Sequence, residues 1–227
     1  WGSTGVFTTI RLFGKEPKFV LLDEHIFKLN KSLKKLNIPF SLTRNKLFDL
    51  MPHNLRIKKY DHLLRVAIKK NILSLSLRPR LRPKKNFQCT LINYQRSNPS
   101  IKNLQYKKIL SLQKGIDMQK EEILFFHNKN LLEGSTTNLI VIKNNNIFLP
   151  KGNFYRGITL EFLLSKISKD YRNKFIKFAD LESADEIILV GSGKGVINVS
   201  SIPSIKWFSS SSKMFNRLLA IYKEQLK

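Results

Sequence analysis

The sequence holds a single cysteine, Cys89, among 227 residues, which excludes an internal disulfide and fits a reducing compartment. Cys89 stands in the strand-like run FQCTLI without the flanks of a papain-like nucleophile, so it is expected to fill core. No apolar run approaches the roughly 20 residues of a membrane helix, so a soluble, cytoplasmic protein without a membrane partner is expected. Acids are scarce, 16 against 41 Lys and Arg, for a formal charge of +25. His25, His53, His62 and His127 lack metal-ligand spacing and no Cys/His cluster accompanies them, so no metal is expected. A starting methionine is missing too. WGSTGVFTTI matches neither a signal peptide nor an Arg/Ser-rich transit peptide, and the expectation is a chain that begins inside the native protein.

What is present describes a globular chain, 42% hydrophobic and 11% aromatic, long enough to bury a sizeable core. The positive charge is scattered through KSLKK (31–35), RIKK (56–59), RPRLRPKK (78–85) and SKDYRNK (168–174), mostly on the solvent side of regular patterns. Alongside many Asn and Ile residues it reads as compositional drift. A specific nucleic-acid partner is not expected; a general attraction for small anions is.

Residues 5–13 alternate as a strand, and 18–25 read as its continuation after a Lys-Glu-Pro turn. From Asp23, Ile26, Leu29, Leu33 and Leu36 fall at helical spacing behind two acids. Residues 44–51 form a second short helix, 64–80 a strand, turn and strand, and 88–96 a further strand. SNPS (97–100) breaks the pattern and is placed as a linker between an N-terminal lobe, 1–96, and a C-terminal lobe, 101–227. The second lobe is read as a helix over 101–116, strands at 122–127, 137–143 and 145–149 with a KNNN hairpin turn, and a helix at 159–168. Strand, glycine loop and strand follow over 184–202, then a capped terminal helix with Met214, Leu218, Leu219 and Tyr222 on one face. The class is α+β, mixed sheets with flanking helices.

GSGKGV (191–196) follows a strand but precedes VINVSSI, another strand. It therefore lacks the helix whose N-terminus a dinucleotide loop needs, and the Walker pattern is missing. A strand-to-strand loop whose bare amides and Ser192 hydroxyl hold one phosphate survives, beside a plain glycine hairpin. In RGITLEF (156–162), Gly157 allows close approach and Ile158 and Thr159 start a helix with free amides. LLEGSTTNLIVI (131–142) sets one carboxylate, Glu133, in an apolar run, and a buried carboxylate needs a positive partner. Ser135, Thr136 and Thr137 offer hydroxyls to a polar ligand. A cofactor with a protonated ring nitrogen at one end and a phosphate at the other satisfies both features, and pyridoxal phosphate is such a molecule.

The ordered set GVFTTIR (5–11), LLDEHIFKLNKSL (21–33), SIKNL (100–104), LLEGSTTNLIVI, YRGIT (155–159) and ADEIILVGSGKGVINV (184–199) resembles the class IV, fold-type IV pyridoxal-phosphate enzymes. That family includes branched-chain and D-amino-acid aminotransferases and 4-amino-4-deoxychorismate lyase. The resemblance implies a two-lobed fold, pyridoxal 5′-phosphate and a homodimer. It makes Lys102 the cofactor-attaching lysine, with Lys107 and Lys108 as decoys two turns further along the same helix. Glu133 would face the pyridine nitrogen, Ile158, Thr159, Gly191 and Ser192 would hold the phosphate, and Ser135, Thr136 and Thr137 would line the ring. The family's H-x-x-R-L is HIFKL here, so Lys28 replaces a phosphate-binding arginine and brings charge without the bidentate fork. Leu160 stands where an arginine is usual, and the aromatic-Gly-Asp-Gly opening is altered to WGSTG.

Thr8 and Thr9 match the FTT form of the lyase, whereas branched-chain enzymes resemble FEGIR; IKNL resembles the lyase's IKHL. The implied activity is release of pyruvate and 4-aminobenzoate from a small anionic amino substrate, with Lys102 and Thr9 catalytic. A branched-chain or D-amino-acid aminotransferase is the alternative. Arg11, Arg96 and Lys194 are candidates for the substrate carboxylates, and His25 is expected to pack or cap.

Overall fold

The computed structural model describes residues 1–51, 57–167 and 171–227; His53 and parts of the basic stretches 56–59 and 168–174 lie outside them. Residues 1–80 and 101–108 form one compact unit, and 81–100 and 109–225 a second.

In the first unit β1 (Val6–Gly14) pairs antiparallel with β2 (Lys18–Phe19). After α1 (Leu22–Lys35) and α2 (Arg44–Asp49) the chain returns as β3 (Tyr60–Lys69) beside β1 and turns into β4 (Ile72–Pro79). Period-two alternation puts Val6, Ile10 and Leu12 on one face with their β3 neighbours Ile68 and Leu64, against Leu29 and Leu33 of α1. Each such side chain contributes about 1.5–3 kcal/mol by leaving water. Asp23 and Glu24 occupy the first turn of α1 and Lys34 and Lys35 the last, as its dipole favours. Asn37, at φ 51°, ends it. The strand expected over 18–25 is corrected: only 18–19 are extended, because the helical spacing of Leu22, Leu29 and Leu33 draws the chain into α1.

The helix expected over 101–116 is also corrected. Only α3 (Lys107–Leu112) is helical. Residues 102–104 run along β1 instead: Phe7 N donates to Lys102 O at 2.9 Å, Leu104 N donates to Gly5 O at 2.9 Å, and Asn103 bridges Val6. The Asn103 side chain accepts from Gln105 N at 3.0 Å, a local turn that competes with helix. Lys102 is therefore strand-edge backbone, and Lys107 and Lys108 open a separate element.

The second unit contains β5 (Phe87–Asn93), β6 (Glu121–His127), β7 (Asn130–Gly134), β8 (Asn138–Lys143), β9 (Asn146–Pro150), α4 (Ile158–Lys166) and β10 (Tyr171–Lys174). Then come α5 (Phe178–Glu182), β11 (Glu186–Gly191), β12 (Gly195–Ile202), β13 (Trp207–Phe208) and α6 (Lys213–Glu224). Its sheet runs β10-β9-β8-β11-β12-β5-β6-β7, with β13 on β12. The pairs β10/β9, β12/β5 and β5/β6 are parallel. Asn144 and Asn145, both at positive φ, make the hairpin between β8 and β9, a conformation asparagine tolerates. Cys89 lies in the core with Phe87, Leu124, Leu139, Leu189 and Trp207, and burial pushes its thiol pKa up. No helix is long and apolar enough to cross a membrane among the described residues.

The terminal helix is capped from elsewhere in the chain. Ser212 makes no side-chain cap; Glu186 of β11 accepts from Met214 N at 2.9 Å, Phe215 N at 2.8 Å and the Ser211 hydroxyl at 2.8 Å. A carboxylate at a helix N-terminus satisfies orphan donors and the dipole together. Leu218 and Tyr222 are buried, Met214 and Leu219 half-buried.

Candidate active site

Phe7, Thr9 and Arg11 share the face of β1 opposite the α1 core. The Lys102 ammonium stands 5.2 Å from the centre of the Phe7 ring, and Tyr106 meets that ring edge-on at 5.4 Å. Thr9, two residues along β1 from Phe7 on the same face, is half-buried. Arg11 is buried, its Nε 3.1 Å and Nη2 3.0 Å from Asp61 Oδ1, with Arg80 Nη1 3.6 Å from Oδ2. Its charge is thus met inside the unit.

Thr8 points the other way, its hydroxyl 2.5 Å from His25 Nδ1. His25 is buried, and burial, then the charges of Lys102 and Lys28, lower its pKa from 6.5 to about 3. The fold therefore holds His25 neutral as a packing residue, within the field of both lysines. Between pH 6.5 and 3 the unfolded chain binds a proton that the fold refuses. This contribution is complete above pH 6.5 and is lost as pH falls, by up to about 5 kcal/mol. Urea midpoints measured from pH 7.5 to 4.5 should fall more steeply for the wild type than for His25→Gln.

In the second unit Glu133 lies on β7 opposite Phe125 and is buried. Arg96 Nε donates to its Oε1 at 2.7 Å, while Arg96 Nη2 donates to Ser135 O at 2.7 Å and Gly134 O at 3.4 Å. Burial pushes the Tyr155 phenol pKa up, with Arg96 opposing and Glu133 adding, so Tyr155 shares this electrostatic neighbourhood.

The hydroxyls of the 135–137 turn all donate to a second carboxylate, Glu122 of β6, which is fully buried. Ser135 Oγ donates to Oε1. Thr136 Oγ1 donates to Oε2 at 2.6 Å and Thr137 Oγ1 at 3.4 Å. Ile123 N reaches Oε1 at 3.2 Å, and the Lys194 ammonium lies 3.2 Å from Oε2 and donates to Glu121 O at 3.0 Å. Gly134 is required beneath the turn, since a Cβ there would lie 2.1 Å from Thr137 Oγ1. Sequence reasoning missed Glu122. Its signal was the one that singled out Glu133, a carboxylate in an apolar strand, here KEEILFF.

The two phosphate candidates come together. Thr159, in the first turn of α4, has its hydroxyl oxygen 3.4 Å from that of Ser192. Asn138 fixes the approach to α4, accepting from Gly157 N at 2.8 Å and donating to Tyr155 O at 2.5 Å. Gly191 abuts the turn, where a Cβ would lie 3.1 Å from Thr136 O. Ile158, Thr159, Gly191 and Ser192 thus border one patch of amides and hydroxyls, and Leu160 is buried behind it. Lys28, Lys102, Thr9 and Arg11 belong to the first unit; Arg96, Glu133, Ser135, Thr136, Thr137 and Lys194 belong to the second.

Residues 5–202 match the sequence profile of amino-transferase class IV. A Methanocaldococcus jannaschii protein provisionally named a branched-chain-amino-acid aminotransferase is 26% identical, over 87% of this chain and 78% of its own. The aminodeoxychorismate lyase of Bacillus subtilis is 22% identical, over 98% of this chain and 86% of its own. Among solved structures, one from Legionella pneumophila, provisionally described as 4-amino-4-deoxychorismate lyase, superposes with a TM-score of 0.82 at 21% identity. That match covers 97% of this chain and 91% of the Legionella chain. The α+β architecture is that of the fold-type IV enzymes, and the chain belongs to the class IV aminotransferases, a pyridoxal-phosphate-dependent family.

Proposed function

We propose that the protein is a pyridoxal-phosphate-dependent 4-amino-4-deoxychorismate lyase, releasing pyruvate and 4-aminobenzoate for folate synthesis. The observation that carries this reading is Thr9, a half-buried hydroxyl on the same face of β1 as Phe7, whose ring lies 5.2 Å from the Lys102 ammonium.

The residues fit the cofactor. The first turn of α4 has backbone amides without helical partners, and the Thr159 and Ser192 hydroxyls stand beside it. Gly157 and Gly191 lie where a side chain would collide with Asn138 Oδ1 or Thr136 O. Ile158, Thr159, Gly191 and Ser192 hold the phosphate in this reading, with Lys28 adding charge. Glu133 takes the ring nitrogen, and Ser135, Thr136 and Thr137 line the ring as a turn made rigid by Glu122. Lys102 attaches the cofactor.

Bound, the cofactor supplies an electron sink for negative charge developing on substrate carbon. Lys102 Nζ takes the proton from the amine-bearing carbon. Neutral His25 adds no repulsion to the cationic lysines near it. The Thr9 hydroxyl passes a proton to the departing pyruvate carbon and regains one that Lys102 has taken from the substrate, which restores both groups. Glu133, held by Arg96, keeps a fixed negative charge for the ring nitrogen. Arg11, Arg96 and Lys194 are already paired with Asp61, Glu133 and Glu122, so in this reading they are not assigned to the substrate carboxylates. A cytoplasmic homodimer completes the proposal.

The second reading, an aminotransferase on branched-chain or D-amino acids, is favoured by the higher identity to the Methanocaldococcus protein, 26% against 22% for the Bacillus lyase. Incubation with aminodeoxychorismate separates the two. Pyruvate release without any 2-oxo acid supports the lyase; dependence on 2-oxoglutarate supports the aminotransferase. Thr9→Val should lower the lyase kcat by about a hundredfold, the worth of one positioned proton donor, with KM nearly unchanged.

A further inference from the structure

Lys194 is the charged residue of the glycine loop between β11 and β12, and it is almost fully buried. A buried ion pair gives little net stability over an apolar pair of the same size, so folding alone does not call for Lys194 and Glu122. What the pair does is join separate segments. Lys194 holds the loop to Glu122 and to the Glu121 carbonyl of β6. Glu122 also collects the three hydroxyls of the 135–137 turn, whose Ser135 Oγ accepts from Gln113 Nε2 at 2.6 Å. Gly191 lies against Thr136 O, and Ser192 meets Thr159. Glycines at 191, 193 and 195 leave a loop with wide backbone freedom, and Gly195 uses it at φ 78°. A binding loop of that kind binds weakly unless something holds it in place before the ligand arrives.

We propose that the Lys194–Glu122 pair is a positioning device for the phosphate cradle, fixing the 191–195 loop against the 135–137 turn so that Ser192 stands ready beside Thr159. This rests on the reading that the loop and the α4 N-terminus hold the cofactor phosphate. Lys194 acts through the loop and does not touch the phosphate.

The test compares affinities of the cofactor-free protein for pyridoxal 5′-phosphate and for pyridoxal, followed by absorbance, with thermal midpoints alongside. The ratio of the two affinities isolates the phosphate. Lys194→Met should lower that ratio at least tenfold and also lower the midpoint, because Glu122 is left buried without its partner. Adding Glu122→Gln to Lys194→Met should return the midpoint toward the wild type but not the ratio, since the tether is still missing. Recovery of both in the double variant would overturn the proposal, leaving the pair as charge balance only. Glu122→Gln alone should lower the ratio; an unchanged or raised ratio would mean that the freed ammonium meets the phosphate directly, and would also overturn it. Thr159→Val with Ser192→Ala serves as the control on the cradle. If that variant keeps the wild-type ratio, the cradle reading falls and this proposal with it. If it loses the ratio while the Lys194 variants keep it, the positioning role alone falls.

Discussion

Lys102→Ala is expected to abolish attachment of pyridoxal phosphate and to lower turnover by about three orders of magnitude or more, the scale of losing a group that is both nucleophile and base. The visible absorbance of the lysine-attached cofactor should vanish in the same variant. The fold should survive, because the hydrogen bond that seats this segment on β1 is made by the Lys102 backbone, whose carbonyl accepts from Phe7 N at 2.9 Å. Lys107→Ala and Lys108→Ala, at the opening turn of α3, should keep colour and turnover. Absorbance spectra of the three purified variants check this. Retained colour in Lys102→Ala would remove the assignment.

Arg96→Met is expected to cost about 3–5 kcal/mol of stability, the usual penalty for stranding one member of a buried ion pair. Glu133 is 4% exposed and Arg96 is 11% exposed, with 2.7 Å between Nε and Oε1, so water does not readily replace the guanidinium. The same change releases the Ser135 and Gly134 carbonyls that Arg96 holds, and affinity for the cofactor should fall with stability. Adding Glu133→Gln should recover much of the stability, as it removes the stranded charge, without recovering the cofactor. Urea unfolding with a cofactor titration on each variant measures both effects.

Much of the first unit and one hairpin of the second were legible because local pattern and tertiary demand agree there. The alternation through Val6, Ile10 and Leu12, the helical spacing of Leu29 and Leu33 behind Asp23 and Glu24, and the Asn144–Asn145 turn each state in sequence what the structure uses. Residues 101–106 misled because IKNLQYKKIL has helical spacing throughout, while its first part is held by nonlocal bonds to β1 that no window of sequence contains. The start of α6 misled for a related reason: four serines look like a cap, but Glu186, far back in the chain, takes the amides.

The candidate site divides the same way. Glu133 announced itself as a carboxylate in an apolar run that needed a positive partner, and that partner is Arg96, itself first considered for substrate. The hydroxyls at 135–137 were read toward a ligand because they are short and polar on a buried strand. The competing acceptor, Glu122, was equally visible in KEEILFF and went unweighed. Lys194 was read toward the substrate carboxylates; only the register of β6 beside β5, and β5 beside β12, brings Glu122 within its reach.

The reading depends above all on one nitrogen. Reducing the cofactor-loaded protein with borohydride fixes the cofactor to whichever amine holds it, and mass spectrometry of the digested protein then locates the pyridoxyl group. The account predicts that group on Lys102. A pyridoxyl group on Lys107, Lys108 or any other lysine, or none anywhere, would contradict it.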